Sequence, residues 1–270
     1  MTNSPTENPF KICVLASGSK GNSIYVTDGT TSILVDAGLS GVQLERRMAE
    51  RDIDPRSISA VLVSHEHTDH VSGVGVLCRR YGYTAYFTRE TYRASIKGLG
   101  KMEKCKGFAP GQEFTIGGMT IHPFSTSHDA VNPAGFTIQA HGAKAGIATD
   151  LGIATAMVKN HLQDCNVLLM EANHDVQMLL DGPYPWHLKQ RIKGRSGHLS
   201  NDASRELLEE ILHEGLSHVI LGHLSETNNL PEIALDTVAP VLDGHKAKLC
   251  AAHQSVCGDL IDICSKKNLP

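Results

Sequence analysis

The amino-acid sequence predicts an α/β (α+β) fold in one domain. Two observations carry that expectation. Short apolar runs of strand length alternate with turn residues and with amphipathic stretches of helical period, and the prominent ionisable residues fall just past the ends of the apolar runs. Strands are expected over residues 11–16, 23–27 and 32–36, where apolar and β-branched residues dominate and Gly or Asp follows as a turn former. A charged amphipathic stretch near 42–51 reads as a helix, and the run at 60–64 returns the chain to a strand. Helical spacing recurs at 74–81 and 90–97. A second half follows with strands at 113–116, 119–125, 134–140 and 144–149. Further strands are expected at 167–170 and 219–222, with a helix over 201–213 between them. A strand around Cys250 and a terminal helix carrying Cys257 and Cys264 on one face complete the chain. Periodicity stops there, because the stacking order of sheets is invisible in one sequence.

Composition bounds the class. With 270 residues and 41% hydrophobic content the chain can bury a full core, and neither a low-complexity linker nor an internal repeat divides it. Residues 1–9 are expected to form an N-terminal tail. They lack a basic start and an apolar segment, and no later apolar run approaches the ~18 residues of a membrane span, so a soluble, cytoplasmic protein without a membrane partner is expected. Seven cysteines without a Cys-x-x-Cys pair point to reduced thiols, with Cys250, Cys257 and Cys264 expected as small buried hydrophobes. A net charge of −4 is unlike the basic footprint of most nucleic-acid binders. Locally, however, residues 189–195 read Lys-Gln-Arg-Ile-Lys-Gly-Arg, placing four cations in seven residues, either as a solvated helix face or as a phosphate-binding track.

The most informative stretch is His65-Glu66-His67-Thr68-Asp69-His70, four potential metal ligands directly after an apolar strand. Imidazole nitrogen and carboxylate oxygen suit zinc, manganese or iron, and a strand gives the adjoining loop a rigid base. Three further ligand candidates each follow an apolar run: His128, Asp150 and His223. Glu171 closes another strand, and His198 lies in Gly197-His198-Leu199-Ser200-Asn201.

The hexapeptide and these later residues, in this order, resemble the metallo-β-lactamase superfamily. The stretches at 15–23, 64–70, 126–136, 171–175, 197–201 and 223–229 together resemble its YycJ/WalJ (VicX) group along nearly the whole chain. The resemblance implies a four-layer αββα sandwich. It also implies two divalent metal ions, Mn2+ or Zn2+ with Fe as a further option: His65, His67 and His128 on one, Asp69, His70 and His223 on the other, and Asp150 bridging. Two cations roughly 3.5 Å apart activate a shared water and clamp the attacking and leaving oxygens of phosphoryl transfer. Sister families differ at His67, where diiron oxidoreductases carry a carboxylate, and at His70, which many antibiotic-hydrolysing members lack. Neither redox chemistry nor β-lactam cleavage is therefore favoured.

In nucleic-acid-processing members an acid orients a histidine, here Glu171 and His198, and a carboxylate so placed fixes the imidazole tautomer for protonating a leaving oxygen. The catalytic set implied is His198, Glu171 and Asp69, the last also a ligand. The group is associated with DNA exonuclease activity, so a phosphodiesterase acting on nucleic acid, DNA before RNA, by attack of metal-bound hydroxide is expected. Expected substrate contacts are Ser19 and Asn22 in a loop of small residues with free amides, the cations Lys189, Arg191, Lys193 and Arg195, and Ser200 and Asn201. Only 26 residues separate Glu171 from His198, too few for the lid domain of RNA-cleaving relatives, which implies an open cleft. The competing readings are a small-molecule hydrolase of a lactone, thioester or cyclic phosphodiester on the same ligands, and a metal-stabilised interaction protein. A purely structural zinc site would be closed and mononuclear, which counts against the latter.

Overall fold

Two seven-stranded sheets stand face to face in the computed structural model, which describes residues 9–264. The first sheet contains β1 (Lys11–Ala16), β2 (Ser23–Thr27), β3 (Ser32–Val35), β4 (Ile58–Leu62), β5 (Thr84–Phe87) and β6 (Cys105–Gly107). The second contains β7 (Phe114–Ile116), β8 (Met119–Ser125), β9 (Ala134–Ala140), β10 (Ala143–Ala148), β11 (Val167–Glu171), β12 (His218–Gly222) and β13 (Lys248–Ala251). The last strand, β14 (Ile261–Asp262), returns to pair antiparallel with β1, so the first sheet runs β14-β1-β2-β3-β4-β5-β6 and the second β13-β12-β11-β10-β9-β8-β7. Both sheets are mixed in the same way. β14 to β3 and β7 to β10 are antiparallel, and β3 to β6 and β10 to β13 are parallel.

The period of two along each strand creates the layers. In β1, Ile12 and Val14 point into a central core shared with Phe136, Ile138, Ile147 and Leu169 of the opposing sheet. Cys13 and Leu15 face the other way, toward Leu44, Met48 and Leu77 on the helices Gly41–Ala49 and Val74–Tyr81. The second sheet behaves likewise: Leu168, Met170, Val219 and Leu221 pack outward onto Val158 and Leu162 of helix Ala156–Leu162 and onto Leu207 and Ile211 of helix Asn201–Ile211. Strands buried on both faces must be apolar throughout, which is why they read as continuous apolar runs. The result is the expected αββα sandwich.

Several local expectations are corrected. Residues 257–264 form no helix: the chain runs irregularly and then adds β14 to β1, because Ile263 and Ile261 are needed in the central core rather than on a helix face. Cys250 is exposed on the edge strand β13 instead of buried, whereas Cys257 is buried as expected and Cys264 is partly buried. Of the expected tail, only Pro9 lies within the described residues, and it is exposed. Among the described residues no helix is long and apolar enough to cross a membrane.

Candidate metal centre and its cleft

The chemically distinctive residues sit where parallel strands end, on loops at the carboxyl edge, the usual place for sites in open α/β sheets. Asp36 directly follows β3, Glu171 is the last residue of β11, and His223 directly follows β12. Asp36, Asp150 and His223 adopt left-handed backbone angles, φ +60°, +56° and +55°. Such angles are uncommon outside glycine and cost energy that surrounding contacts must hold in place. Glycines then let the loops close up: a Cβ on Gly38 would stand 1.6 Å from the carbonyl oxygen of Asp69, and one on Gly152 2.3 Å from that of Arg195.

The seven expected ligands converge. His65 Nε2 lies 3.0 Å from His67 Nδ1, which in turn is 3.4 Å from His128 Nε2. On the other side, His70 Nε2 is 3.5 Å from Asp69 Oδ2, and His223 Nε2 is 3.8 Å from that same oxygen. Asp150 stands between the two groups, Oδ1 3.6 Å from His128 Nε2 and Oδ2 3.2 Å from His70 Nε2. Four of these histidines also spend a ring nitrogen on the protein. His70 Nδ1 donates to Asp36 Oδ2 at 2.7 Å, and His128 Nδ1 donates to the Gly197 carbonyl at 3.1 Å. His65 Nδ1 lies 2.9 Å from Ser64 Oγ, and His223 Nδ1 donates to Glu171 Oε1 at 2.8 Å. Such partners fix the tautomer and leave the other nitrogen's lone pair for a cation.

The residues fit a divalent metal. The donors are imidazole and carboxylate, and two of them, Asp150 Oδ2 and His223 Nε2, are buried without an aligned hydrogen-bond partner. Leaving a buried polar atom unsatisfied costs roughly 1–3 kcal/mol, and a cation removes that cost. The electrostatics agree. Burial pushes the His223 imidazole down, but Asp150, Asp69 and Glu171 outweigh it and raise its pKa to about 10. Burial likewise opposes a charged His70, yet Asp150 and Asp36 carry its pKa well above the usual value. Burial depresses His65 and His128, whose ring nitrogens are therefore available without loss of a proton near neutrality.

Glu171 is the hub beside this centre. It is wholly buried, and its Oε1 accepts from both His198 Nδ1 and His223 Nδ1 at 2.8 Å, while Oε2 accepts from the amides of Leu151 and Leu199 at 2.8 and 3.1 Å. Burial favours the neutral acid, but the two imidazoles reverse this and hold its pKa below the ordinary carboxylate range. With Nδ1 engaged, His198 has Nε2 left for chemistry, and its side chain lines a cleft of about 210 Å3 together with His67, Asp69, Asp150 and His223.

The expected substrate contacts divide. Ser19 and Arg191 line this cleft, and Arg191 Nε donates to Asp129 Oδ2 at 2.9 Å across its rim. Lys193 and Ser200 line a neighbouring cavity, and Arg195 is exposed. Three are not brought to the cleft surface. Lys189 is buried and donates from Nζ to the Leu180 carbonyl at 2.6 Å, because cations two apart point to opposite sides of the helix Trp186–Ile192. Asn201 exchanges amide hydrogen bonds with Asn229 at 3.0 and 2.9 Å. Asn22 is buried behind the expected ligands, its Nδ2 3.3 Å from Asp69 Oδ2 and 3.1 Å from His70 Nε2. The amides of its loop are not free either: those of Gly18, Lys20, Gly21 and Asn22 donate to Asn22 Oδ1, Gln254 Oε1, the Gly18 carbonyl and the Asp69 carbonyl.

Sequence reasoning missed Asp36. It also missed that Glu171 serves a metal-side histidine as well as His198. Asp36 carried a readable signal, being an acid at a strand end like Asp150. The sharing of Glu171 carried none, since it depends on β11 and β12 pairing in parallel with Glu171 opposite Gly222.

Fold and centre together define a metallohydrolase-type αββα protein with a histidine- and carboxylate-rich centre at the sheet edges. The chain belongs to the metallo-β-lactamase superfamily, and within it to the YycJ/WalJ group: the Beta-lactamase superfamily domain matches residues 31–223. It is 40% identical over 233 residues to Exodeoxyribonuclease WalJ of Streptococcus pneumoniae serotype 2, covering 85% of this chain and 87% of that protein. It is 35% identical over 232 residues to Exodeoxyribonuclease YycJ of Bacillus anthracis, covering 85% and 88%. Among solved structures, the metallo-beta-lactamase fold protein YhfI of Bacillus subtilis superposes with a TM-score of 0.71 at 18% identity, covering 94% of this chain and 99% of that one, a likeness of fold.

Proposed function

We propose that this chain is a dinuclear metal-dependent phosphodiesterase acting on nucleic acid, a DNA exonuclease. The observation that carries the reading is the contact of His198 Nδ1 with Glu171 Oε1 at 2.8 Å, set against two ligand groups that Asp150 spans. The names of the WalJ and YycJ relatives support nucleic acid as substrate.

Two divalent cations, Mn2+ or Zn2+, when bound supply an activated water and neutralise charge on the phosphoryl oxygens. The chain's own residues do the rest. Asp69 is the carboxylate of the centre most open to the cleft, with 21% of its side chain exposed, and orients the attacking water. His198 delivers the proton from Nε2 to the leaving oxygen, and ionised Glu171 holds the imidazole in the tautomer and orientation this requires. Arg191 at the rim binds a backbone phosphate when it exchanges Asp129 for it.

The test is one assay panel: purified protein with manganese or zinc against end-labelled DNA and RNA, beside bis(p-nitrophenyl) phosphate and a lactone. Stepwise loss of label from DNA ends is expected. Turnover of the small esters with intact DNA and RNA would instead favour a small-molecule hydrolase.

A further inference from the structure

A second cavity of about 230 Å3 lies against the other side of His198, lined among others by His174, Leu179, Lys193, Leu199 and Ser200. His174 is 2% exposed, and its Nδ1 is buried without a hydrogen-bond partner. A buried unsatisfied ring nitrogen is uncommon enough in folded proteins to call for a reason. No strand or helix needs that imidazole, since the residue's structural bonds are main-chain: its carbonyl accepts from the Asn201 amide, and it bridges to Ser200. Burial pushes His174 down to about 4, so the ring offers one donor and one acceptor at neutral pH.

The lining also decides what kind of group fits. Helix Asn201–Ile211 begins at this cavity, but three of its first four amides are spent: Asn201 N donates to the His174 carbonyl, Ala203 N to Ser200 Oγ and Ser204 N to the Ser200 carbonyl. That leaves little to hold an anion within. The walls are largely apolar, with Val176, Leu179, Leu180 and Leu199, and the volume falls short of the 300–1,000 Å3 usual for drug-sized ligands. A single flat heterocycle with a polar edge matches both facts. Lys193, exposed at the rim, is free to meet the phosphate attached to it.

Position supplies the role. His198 lines both cavities, so a group held in the second one sits beside the residue that protonates the leaving oxygen. We propose that this cavity is the subsite for the nucleobase of the leaving nucleoside, gripped between the leucines with His174 reading its polar edge. This assignment rests on the nuclease reading above.

Oligonucleotides with an abasic residue on one or the other side of the terminal linkage test it. For the wild-type protein, removing the leaving-side base should lower kcat/KM about tenfold, equivalent to ~1.4 kcal/mol, and removing the base across the linkage should do less. Ala203→Phe, which fills the cavity, should bring the normal end down to the abasic rate so that the ratio approaches one. His174→Leu should also shrink the ratio and serves if the first variant does not fold. Equal wild-type rates on normal and abasic ends, or an undiminished ratio in a folded cavity variant, overturns the subsite. A wild-type protein that cleaves bis(p-nitrophenyl) phosphate but no nucleic acid overturns the nuclease reading instead.

Discussion

Glu171→Gln is the most revealing single change, because the substitution keeps the shape and removes the symmetry of the acceptor. Both carboxylate oxygens accept two hydrogen bonds each: Oε1 from His198 and His223, Oε2 from the amides of Leu151 and Leu199. A glutamine has one acceptor oxygen and one donor amine. If its oxygen faces the histidines, its amine confronts two backbone amides that then have no acceptor at a wholly buried position. At roughly 1–3 kcal/mol each, that costs about 2–6 kcal/mol, a large share of the ~5–15 kcal/mol stability of a typical domain. If the amide flips, both imidazoles must accept at Nδ1 and carry their proton on Nε2. His223 Nε2, the nitrogen aimed at Asp69, then has no lone pair for a cation, and metal affinity should fall about 10–100-fold. In either orientation His198 loses the ionised acceptor that orients its ring, and turnover should drop by roughly 10²–10⁴. Urea denaturation, metal titration and single-turnover kinetics on end-labelled DNA read the three effects. A variant matching the wild type within twofold in stability midpoint, metal affinity and rate would refute the hub role of Glu171.

The same geometry sets three further outcomes. His198→Ala should retain its metals and lose about 10²–10⁴ in rate, and metal retention with an undiminished rate removes it as the proton donor. Arg191→Glu should weaken DNA binding and reduce the salt slope by about one. By contrast, Lys189→Met should lower the melting temperature through its bond to Leu180, and a reversed pattern contradicts the placement of the two side chains. Metal loading should release protons, because the raised pKa values of His70 and His223 keep both protonated at neutral pH and a cation must displace those protons. Since protons compete less as pH rises, apparent affinity should increase between pH 6 and 8, by up to about tenfold per unit for each proton displaced. Calorimetry in buffers of different ionisation enthalpy measures the release, and a pH-independent affinity would contradict it.

Much of this centre was legible because its candidate ligands lie at the tips of strands whose both-faces burial makes them conspicuous apolar runs. His65 after β4, Asp150 after β10 and His223 after β12 each stand within a few residues of the end of such a run, where an ionisable side chain is conspicuous. The layers were not legible from periodicity and came from resemblance, since Ile12 and Cys13 look alike in sequence while facing different cores. Short elements were also lost. Strands β5 and β6 and the helices around Ala156, Val176 and Trp186 are too brief for a period to emerge. The chain end misled for a related reason: its apolar spacing suited a helix, but the open edge of β1 was the stronger claim on it. Contact residues were the least readable. The spacing of cations at 189–195 suggests a stripe, and helical geometry turns Lys189 inward and Arg191 outward. The small-residue loop at 18–22 looked like a phosphate cradle, yet Asn22, Gln254 and Asp69 had already taken its amides.

Anomalous scattering from crystals of manganese- or zinc-loaded protein tests the central claim most directly. Two peaks should appear, one among His65, His67 and His128 and one among Asp69, His70 and His223, with Asp150 between them. A single peak, or density away from these side chains, would contradict a dinuclear centre.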